Sequence, residues 1–465
     1  MTPTVAYVMK TFDLIIIGTG SGNTIITPEF DDLDIAIVEK GTFGGTCLNR
    51  GCIPSKMLVY VADVLSEISR SDELGIAVDQ VSVDWAAIQK RIFGRIDPIA
   101  NAGEAYRNSL SNVSVINGSA SFVSEHQVRV GEDVIEGDQI VIATGASPVL
   151  PDIEGLSDVN YYTSDTIMRI AELPNRLVVI GGGYIATELS HVFSALNCEV
   201  VMLVRGNTLL GSEDMAIQAR FVESFQNKVD IRFGAEVTKV HQNGKEIRIL
   251  YEEDTPNFIE ADALLIATGR LPDLDSLNVT DANIETKDGY ILTDQYMRTS
   301  VDNIWALGDV TNPSQLKHTA NAEAKVVSHN IINDDLIAID LLPLPHAVFS
   351  NPQVASVGFT EEQLLETGVE YVSAVEEYSD VAYGWAMEEK FGMCKIIADP
   401  HSGLILGAHI LGPQASTLIH QLIQGIKFEQ TVSELATDFL YVHPALSEII
   451  ENALIKLSVL CEDKN

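Results

Sequence analysis

The sequence predicts an α/β protein with two dinucleotide-binding (Rossmann-like) domains, one inserted in the other, plus a C-terminal α+β domain. The first observation is a pair of glycine-rich turns, at residues 18–23 and 181–186, each preceded by a short apolar strand-like run. The second is a pair of near-identical strand-and-turn segments, at residues 140–145 and 264–270, which would close the two nucleotide domains. The third is the pair Pro343 and Pro345, which indicates a linker before the C-terminal domain.

Composition limits the partners of the protein. The 465 residues carry 66 acidic and 29 basic side chains, so the formal charge is −37 and we expect no binding to nucleic acid or anionic lipid. Apolar residues make up 46% and charged residues 20%, as in a globular chain. We find no apolar run of about 18 residues and no signal-peptide pattern, which favours a cytoplasmic protein outside the membrane.

The first glycine-rich turn has the spacing of a nucleotide site. An apolar run at residues 13–17 leads into it, and a second run at residues 35–38 ends in Glu39, 21 residues after Gly18. Gly18 and Gly20 would let the backbone approach a pyrophosphate, and a helix after the turn would direct its positive end at the phosphates. Glu39 would accept hydrogen bonds from an adenosine ribose. We therefore predict the order strand, turn, helix, strand.

The second glycine-rich turn repeats this plan and indicates which nucleotide binds. Its second strand, at residues 200–204, ends in Arg205 rather than in an acid. An acid at this point would hydrogen-bond ribose hydroxyls and repel a 2′-phosphate, whereas an arginine would bind that phosphate. The pattern predicts NADPH.

Cys47 and Cys52 form a third candidate site. They lie five residues apart at the start of a predicted helix over residues 53–68, close enough for a disulfide. We expect the helix N-terminus and Arg50 to lower the pKa of the thiols, which favours redox chemistry. The alternatives are two structural cysteines or two metal ligands, but a metal needs more donors and no second Cys/His pair has ligand spacing, so no metal site is predicted.

Local patterns place further elements. The helix after Cys52 is expected to bury one apolar face, which consists of Met57, Leu58, Val61, Val64, Leu65 and Ile68. A strand is expected at residues 304–307. In the C-terminal domain, strands are expected near Ala347, Lys395 and Leu406, and helices near Ser416 and Leu446.

The segment GGTCLNRGCIPSK, residues 44–56, resembles the active-site stretch of the flavoprotein disulfide reductases. The resemblance extends over nearly the whole chain and includes the two Ala-Thr-Gly segments, residues 306–309 and residues 443–448. It implies an FAD-binding domain at residues 1–148 and 271–343, an NADPH-binding domain at 149–270 and a dimerisation domain at 344–465. The residues that it implies for binding FAD and NADPH are Gly18, Gly20, Glu39, Lys40, Gly45, Thr46, Ala120, Thr144, Gly145, Asp309, Gly181, Gly183, Tyr184, Ile185, Arg205 and Gly269.

The resemblance also implies catalytic roles. Cys52 would be the thiolate that contacts the flavin, and Cys47 the thiol that attacks the substrate disulfide. Lys56 would lie beside the flavin and pair with Glu188. His443, oriented by Glu448, would act as acid and base in the active site of the partner subunit, so the resemblance implies a homodimer with a composite active site.

Within the family, several stretches resemble the branch that reduces mycothione, the disulfide of mycothiol: residues 18–23, 93–100, 316–318 and 380–388. The runner-up is the NAD-linked dihydrolipoamide dehydrogenase branch, which the segment CLN-GCIPSK resembles most. A flavoprotein that binds nucleotides without turnover is the alternative of another class. Two departures remain: Arg50 replaces the usual apolar residue, and Gly211 stands where glutathione reductases have a second arginine.

Overall fold

The computed structural model describes residues 9–253, 255–438 and 440–462. The chain forms two compact units: unit 1 comprises Met1–Pro54, Ala86–Val149 and Arg270–Leu341, and unit 2 comprises Ser55–Trp85, Leu150–Gly269 and Leu342–Asn465. Within the described ranges, no helix combines the length and the apolar character needed to span a membrane.

The elements up to residue 149 begin with strand β1 and end with strand β7. In chain order they are β1 Lys10–Ile17, β2 Ile35–Glu39, α1 Gly45–Arg50, α2 Cys52–Ser69, α3 Trp85–Ser109, β3 Val113–Asn117, β4 Ala120–Phe122, β5 Gln127–Val130, β6 Asp133–Ile142 and β7 Ser147–Pro148.

The elements of residues 150–269 contain the second glycine-rich turn. They are β8 Tyr162–Thr163, β9 Arg176–Ile180, α4 Tyr184–Ala195, β10 Glu199–Val204, α5 Met215–Phe225, β11 Asp230–Phe233, β12 Glu236–Asn243, β13 Glu246–Glu252, β14 Pro256–Ala261 and β15 Ala263–Ile266.

The remaining elements return to unit 1 and then form the C-terminal domain. They are β16 Arg270–Leu271, α6 Leu274–Leu277, β17 Thr286–Lys287, β18 Tyr290–Ile291, β19 Ile304–Ala306, α7 Lys317–Ile332, β20 Pro345–Val348, β21 Val354–Gly358, α8 Glu361–Thr367, β22 Val372–Glu377, α9 Ala382–Ala386, β23 Met393–Ala398, β24 Ile405–Leu411, α10 Ala415–Lys427, α11 Val432–Thr437 and α12 Glu448–Glu462.

Unit 1 is built on a sheet with the strand order β3-β2-β1-β6-β5-β4, and β19 also pairs with β6. β1, β2, β3, β6 and β19 run parallel. Both faces are buried, because Ile15 and Ile17 pack into one apolar cluster and Leu14 and Ile16 into another. An uninterrupted apolar strand such as β1 is what a parallel sheet covered on both sides requires.

Unit 2 contains a parallel sheet of order β11-β10-β9-β15-β8 and an antiparallel sheet of order β20-β21-β24-β23-β22. The first is the second nucleotide-binding fold. The second is the C-terminal α+β domain, in which α10 and α12 contribute Ile419, Leu422, Leu454 and Leu457 to the buried core. The predicted fold class is confirmed.

The helix that follows Cys52 is present as α2, but its predicted apolar face is partly wrong. Leu58, Val59 and Ala62 are buried, whereas Val64 is 45% exposed. The apolar spacing therefore predicts the helix but not which of its faces is buried. The buried face depends on packing partners that are distant in the sequence.

Candidate functional site

The first glycine-rich turn closes tightly against its own sheet. Gly18 has φ +105°, and a Cβ there would lie 2.3 Å from the carbonyl oxygen of Ala143, so only glycine fits. Glu39, buried at the end of β2, holds the turn: its Oε2 accepts hydrogen bonds from the Thr19 amide at 3.0 Å and the Thr19 hydroxyl at 2.5 Å. Its Oε1 accepts from the amide of Gly41 at 2.8 Å. The carboxylate predicted to bind a ribose thus also shapes the turn, with acceptor capacity left over.

The predicted α-helix after this turn is wrong. Between Gly22 and β2 the described chain forms only two single 3₁₀ turns, Gly22–Thr24 and Pro28–Phe30. Pro28 disfavours helical geometry at the residue before it, and Thr27 is extended, with φ −113° and ψ 174°. The connection to β2 is too short and too interrupted for a crossover helix. The first turn therefore has no long helix dipole behind it.

The second turn matches its prediction. Gly181 has φ +136°, and a Cβ there would lie 2.2 Å from the carbonyl oxygen of Ala267. The chain then enters α4, 12 residues long, with Gly183 as N-cap, Tyr184 as first residue and Ile185 as second. Arg205 follows β10 and is exposed. This unit therefore has the strand, turn, helix and strand order that the first one lacks.

The two candidate redox cysteines lie on consecutive helices. Cys47 is half-buried within α1, and Cys52 is the first residue of α2. The two are present as thiols, without a disulfide between them. α1 is fixed to the first turn by Gly45, where a Cβ would lie 2.6 Å from the Cα of Gly20.

The predicted lowering of the thiol pKa is wrong for Cys47. Its hydrogen bond to the sulfur of Cys52, its burial and the negative charge of a Cys52 thiolate raise the pKa of Cys47 well above the ordinary value. The ammonium group of Lys317 opposes this rise without cancelling it. A negative charge on Cys52 therefore favours the protonated form of Cys47.

Lys56 and Glu188 form the contact that the resemblance implies. Lys56 Nζ lies 2.6 and 2.8 Å from the two carboxylate oxygens of Glu188, which is buried on α4. Glu188 also accepts a hydrogen bond from the Phe349 amide at 2.9 Å, and Lys56 lies over the Phe349 ring at 4.6 Å. Nearby on the same two helices, Asp63 accepts from the buried His191 at 3.0 Å. The second pair was not anticipated from the sequence.

His443 and Glu448 are also in contact. His443 Nδ1 lies 2.7 Å from Glu448 Oε1, and the other carboxylate oxygen accepts from the Ala445 amide at 3.0 Å. The hydrogen bond from His443 holds the pKa of Glu448 below its ordinary value. Glu448 begins α12, whereas the His443 side chain is 73% exposed. An exposed imidazole oriented from behind by a carboxylate is ready to exchange a proton with a molecule outside this chain.

The remaining predicted residues of unit 1 lie at strand ends and turns. Thr144 and Gly145 follow β6, Ala120 begins β4, Thr46 lies in α1 and Lys40 is exposed after β2.

Asp309 occupies a 3₁₀ turn after β19, and burial raises its pKa although Arg270 and Lys317 oppose the effect. Behind that turn, Glu323 is buried, accepts from the Gly308 amide at 2.6 Å and has a pKa raised by burial to about 7.

Three comparisons place these observations among known proteins. The family model described as pyridine nucleotide-disulphide oxidoreductase matches residues 12–325, and that of its dimerisation domain matches residues 344–454. The chain belongs to the pyridine nucleotide-disulphide oxidoreductase family. The resemblance read from the motifs is thereby confirmed.

Relatives and solved structures of this family cover almost the whole chain. Mycothione reductase of Mycobacterium tuberculosis is 44% identical over 97% of this chain and 100% of its own length. Mercuric reductase of Staphylococcus aureus is 33% identical (92% and 79%), and dihydrolipoyl dehydrogenase of Bacillus subtilis is 32% identical (95% and 95%). The HOCl-induced flavoprotein disulfide reductase RclA of Escherichia coli has a TM-score of 0.86 at 28% identity, covering 97% and 100% of the two chains. The protein is therefore an oxidoreductase, an FAD-dependent disulfide reductase that uses a pyridine nucleotide.

The residues present fit these cofactors. A Cβ added at Gly145 in unit 1, or at Gly183 or Gly269 in unit 2, would meet no protein atom within 4 Å, so these backbone segments face open space. Nucleotide phosphates bind where a glycine-rich turn leaves space for them directly beside the backbone. Among the described residues, no group of three or more His, Cys, Asp or Glu side chains is arranged to hold a metal ion.

Proposed function

We propose that the protein reduces mycothione to mycothiol with NADPH, through a redox disulfide between Cys47 and Cys52. The observation that carries the proposal is the 44% identity to a mycothione reductase over the full length of that relative, against 31–34% for the mercuric reductases and dihydrolipoyl dehydrogenases among its relatives. Bound FAD supplies the transfer of two electrons from the nicotinamide to the cysteine pair.

The charge of the protein supports this substrate. Glutathione disulfide carries four carboxylates, and a chain of charge −37 repels it unless local arginines hold it. Mycothione resembles an uncharged amide–sugar–inositol disulfide, for which the acidic surface costs nothing. The short connection after the first turn, at residues 22–34, also contains no arginine for a substrate carboxylate.

The buried positions of the two acidic residues that follow Arg205 in the sequence support NADPH as the nucleotide. Glu213 and Asp214, which follow at the position where an acid would weaken a phosphate site, are both buried. Glu213 is bound by His346 at 2.6 Å and by Ser356 at 2.6 Å, and Asp214 is bound by Lys395 at 2.7 Å. Because both acids are bound by partners inside the protein, neither competes with a 2′-phosphate for the exposed Arg205.

The pKa of Cys47 defines what the acid–base group must do. While Cys52 carries the thiolate, Cys47 holds its proton, so a base must remove that proton before Cys47 attacks a disulfide. We assign this role to the partner subunit's His443, whose Nδ1 is held by Glu448 so that the other ring nitrogen is directed outward. This assignment requires a homodimer with a composite active site, and the match to the dimerisation-domain family model supports the homodimer.

The exchange then proceeds in two balanced steps. Cys47 forms a mixed disulfide with one half of the substrate, and the other half leaves as a thiolate that takes the proton back from the histidine. The Cys52 thiolate next attacks the sulfur of Cys47, which closes the Cys47–Cys52 disulfide and releases the second thiol after protonation. Two electrons have passed to the substrate. A cytoplasmic location suits a pathway that keeps thiols reduced.

A substrate panel tests the proposal. With NADPH as reductant, we expect kcat/KM to be about 100-fold higher for mycothione than for glutathione disulfide or lipoamide, at low and at moderate salt. A tenfold ratio corresponds to about 1.4 kcal/mol of differential binding. Glutathione disulfide turned over as fast as mycothione would overturn the assignment. Lipoamide favoured together with NADH would replace it by the dihydrolipoamide dehydrogenase branch.

Variants test the roles of the individual residues. Cys47→Ser is expected to keep the long-wavelength charge-transfer absorption on reduction and to lose disulfide turnover, whereas Cys52→Ser loses both. His443→Ala should lower disulfide reduction by about 10²–10⁴ while reduction of the flavin by NADPH stays near normal. The reverse pattern for the two cysteines would exchange their roles, and an unchanged rate in His443→Ala would remove the histidine from the mechanism.

A further inference from the structure

The first glycine-rich turn presents a charge problem. A diphosphate carries negative charge, and nucleotide sites of this fold stabilise it with the positive end of the helix that follows the turn. In unit 1 that helix is replaced by the 3₁₀ turns Gly22–Thr24 and Pro28–Phe30. The close backbone approach is retained through Gly18 and Gly45. The positive charge has to come from elsewhere in the unit.

Two cations from other elements of unit 1 converge on this turn. Lys317, the first residue of α7, donates from Nζ to the Ser21 hydroxyl at 2.7 Å. Arg107, buried on α3, donates from Nε to Asn23 Oδ1 at 2.8 Å and from Nη2 to the Asn23 carbonyl at 2.7 Å. Ser21 is the residue directly after Gly20, so the ammonium group lies at a side chain of the glycine-rich turn.

Arg107 and Lys317 differ in their remaining capacity to bind an anion. The guanidinium of Arg107 is held by two strong acceptors on Asn23, the residue at the position of the missing third glycine, and it fixes the turn. Lys317 is held by a neutral hydroxyl and is half-buried, and no carboxylate of the described residues lies within ion-pair distance of its Nζ. An ammonium group in this state has both charge and donors available for a phosphate oxygen.

We propose that Lys317 binds the diphosphate of FAD at Ser21 and supplies the positive charge that a helix N-terminus supplies in the second nucleotide unit. Arg107 acts as a positioning residue that holds the turn through Asn23. The proposal concerns FAD binding alone, so it holds whichever disulfide the enzyme reduces.

The test measures FAD retention in the holoenzyme. The variants are Lys317→Met, the charge-preserving Lys317→Arg, and Lys325→Met, which removes an exposed lysine from the same helix. Each holoenzyme is diluted over a concentration series at about 20 mM and about 500 mM salt, and released FAD is followed by its fluorescence. A dissociation constant results for each protein without any disulfide substrate.

We expect Lys317→Met to weaken FAD binding about 10- to 100-fold at low salt, and this loss to shrink at high salt because the contact is between charges. Lys317→Arg should remain within about threefold of the parent protein and Lys325→Met should match it. Lys317→Gln replaces the Met variant if the latter does not fold. Equal FAD binding in the Lys317→Met and Lys325→Met proteins would overturn the proposal, as would a loss of the same size at both salt concentrations. Failure of mycothione turnover with normal FAD retention would refute only the proposed substrate.

Discussion

The two glycine-rich turns differ in how they handle charge although they share one backbone design. In each, the leading glycine has positive φ, and its Cβ would lie 2.2–2.3 Å from the carbonyl oxygen of the residue that follows a neighbouring strand of the sheet. The second turn continues into the 12-residue α4, whereas the first continues into a 3₁₀ turn and draws its cations from α3 and α7. The comparison teaches that glycine spacing encodes the approach of the backbone to a phosphate, and that the source of positive charge is a separate property.

The buried acids of the two regions differ in the same way. In unit 1, burial raises the pKa of Glu323 to about 7, with Asp309 adding to the rise. Beside the second turn, burial would raise the pKa of Glu213, but the hydrogen bond and charge of His346 outweigh it and lower the pKa. Glu323 is thus buried without a cationic partner among the described residues that lowers its pKa, whereas Glu213 is buried with His346 as such a partner.

Substitution of the leading glycines should separate the two sites with the largest effect. We expect Gly18→Ala to be isolated with less than about one tenth of its FAD. We expect Gly181→Ala to keep FAD but to be reduced by NADPH more than about 100-fold more slowly, because each Cβ collides with backbone at a strained φ. Flavin absorbance and stopped-flow reduction measure the two outcomes.

The controls are Gly131→Ala and Gly234→Ala, which have positive φ and no atom within 4 Å of the added Cβ. If these lost their cofactors to the same degree, backbone strain rather than the close approach would explain the result.

The charge preference of the second site is tested at Arg205. We expect Arg205→Glu to raise KM for NADPH about 10- to 100-fold, since a charge-assisted hydrogen bond of about 1.5–3 kcal/mol is replaced by repulsion. KM for NADH should stay within about twofold, and Arg205→Lys should keep most of the preference. Equal losses for NADPH and NADH would assign Arg205 a structural role.

The acids of the two regions predict opposite dependence of stability on pH. The pKa of Glu323 is higher in the folded protein than in the unfolded chain, so its stabilisation is present below about pH 4.5 and is lost as pH rises through about 7. The pKa of Glu213 is lowered, so its stabilisation is present above its unfolded value and is lost as pH falls through the folded value.

The measurement is the free energy of unfolding in denaturant at pH 5 and pH 8. Glu323→Gln should reduce the loss of stability between these values by about 2 kcal/mol. Glu213→Gln should lower stability more at pH 5 than at pH 8, because Glu213 holds the pKa of His346 above its ordinary value and the protonated His346 loses its charged partner. An unchanged pH profile in Glu323→Gln would contradict the assignment.

The smallest effect is expected at the positioning residue of the first turn. Arg107→Lys keeps the charge but loses the paired hydrogen bonds to Asn23, so we expect FAD binding to weaken about two- to fivefold and unfolding free energy to fall by about 1 kcal/mol. Arg95→Lys, at an exposed position of α3, is the matched control. A larger effect than that of Lys317→Met would exchange the roles of the two cations.

Features that depend on residues close together in the sequence were predictable, whereas contacts between residues far apart in the chain were not. The spacing of the glycines and of Cys47 and Cys52 expresses local geometry, and the strand, turn, helix and strand around the second glycine-rich turn were predicted correctly. The absence of a helix after Gly22 was not predicted, because the glycine pattern is typical of a turn that leads into a helix, whereas Pro28 and the short connection to β2 prevent one here. Lys317 and Arg107 act on residues 296 and 84 positions away, and no local pattern announces such contacts.

Glu188 has a consequence for protein engineering. Its two carboxylate oxygens join α2, α4 and the start of the C-terminal domain through Lys56 and the Phe349 amide. Arg205, by contrast, is an exposed side chain after the end of a strand. If Arg205 has the proposed role, nucleotide preference can be redesigned there with few side effects, whereas any replacement of Glu188 alters contacts in three chain segments at once and needs compensating changes in each.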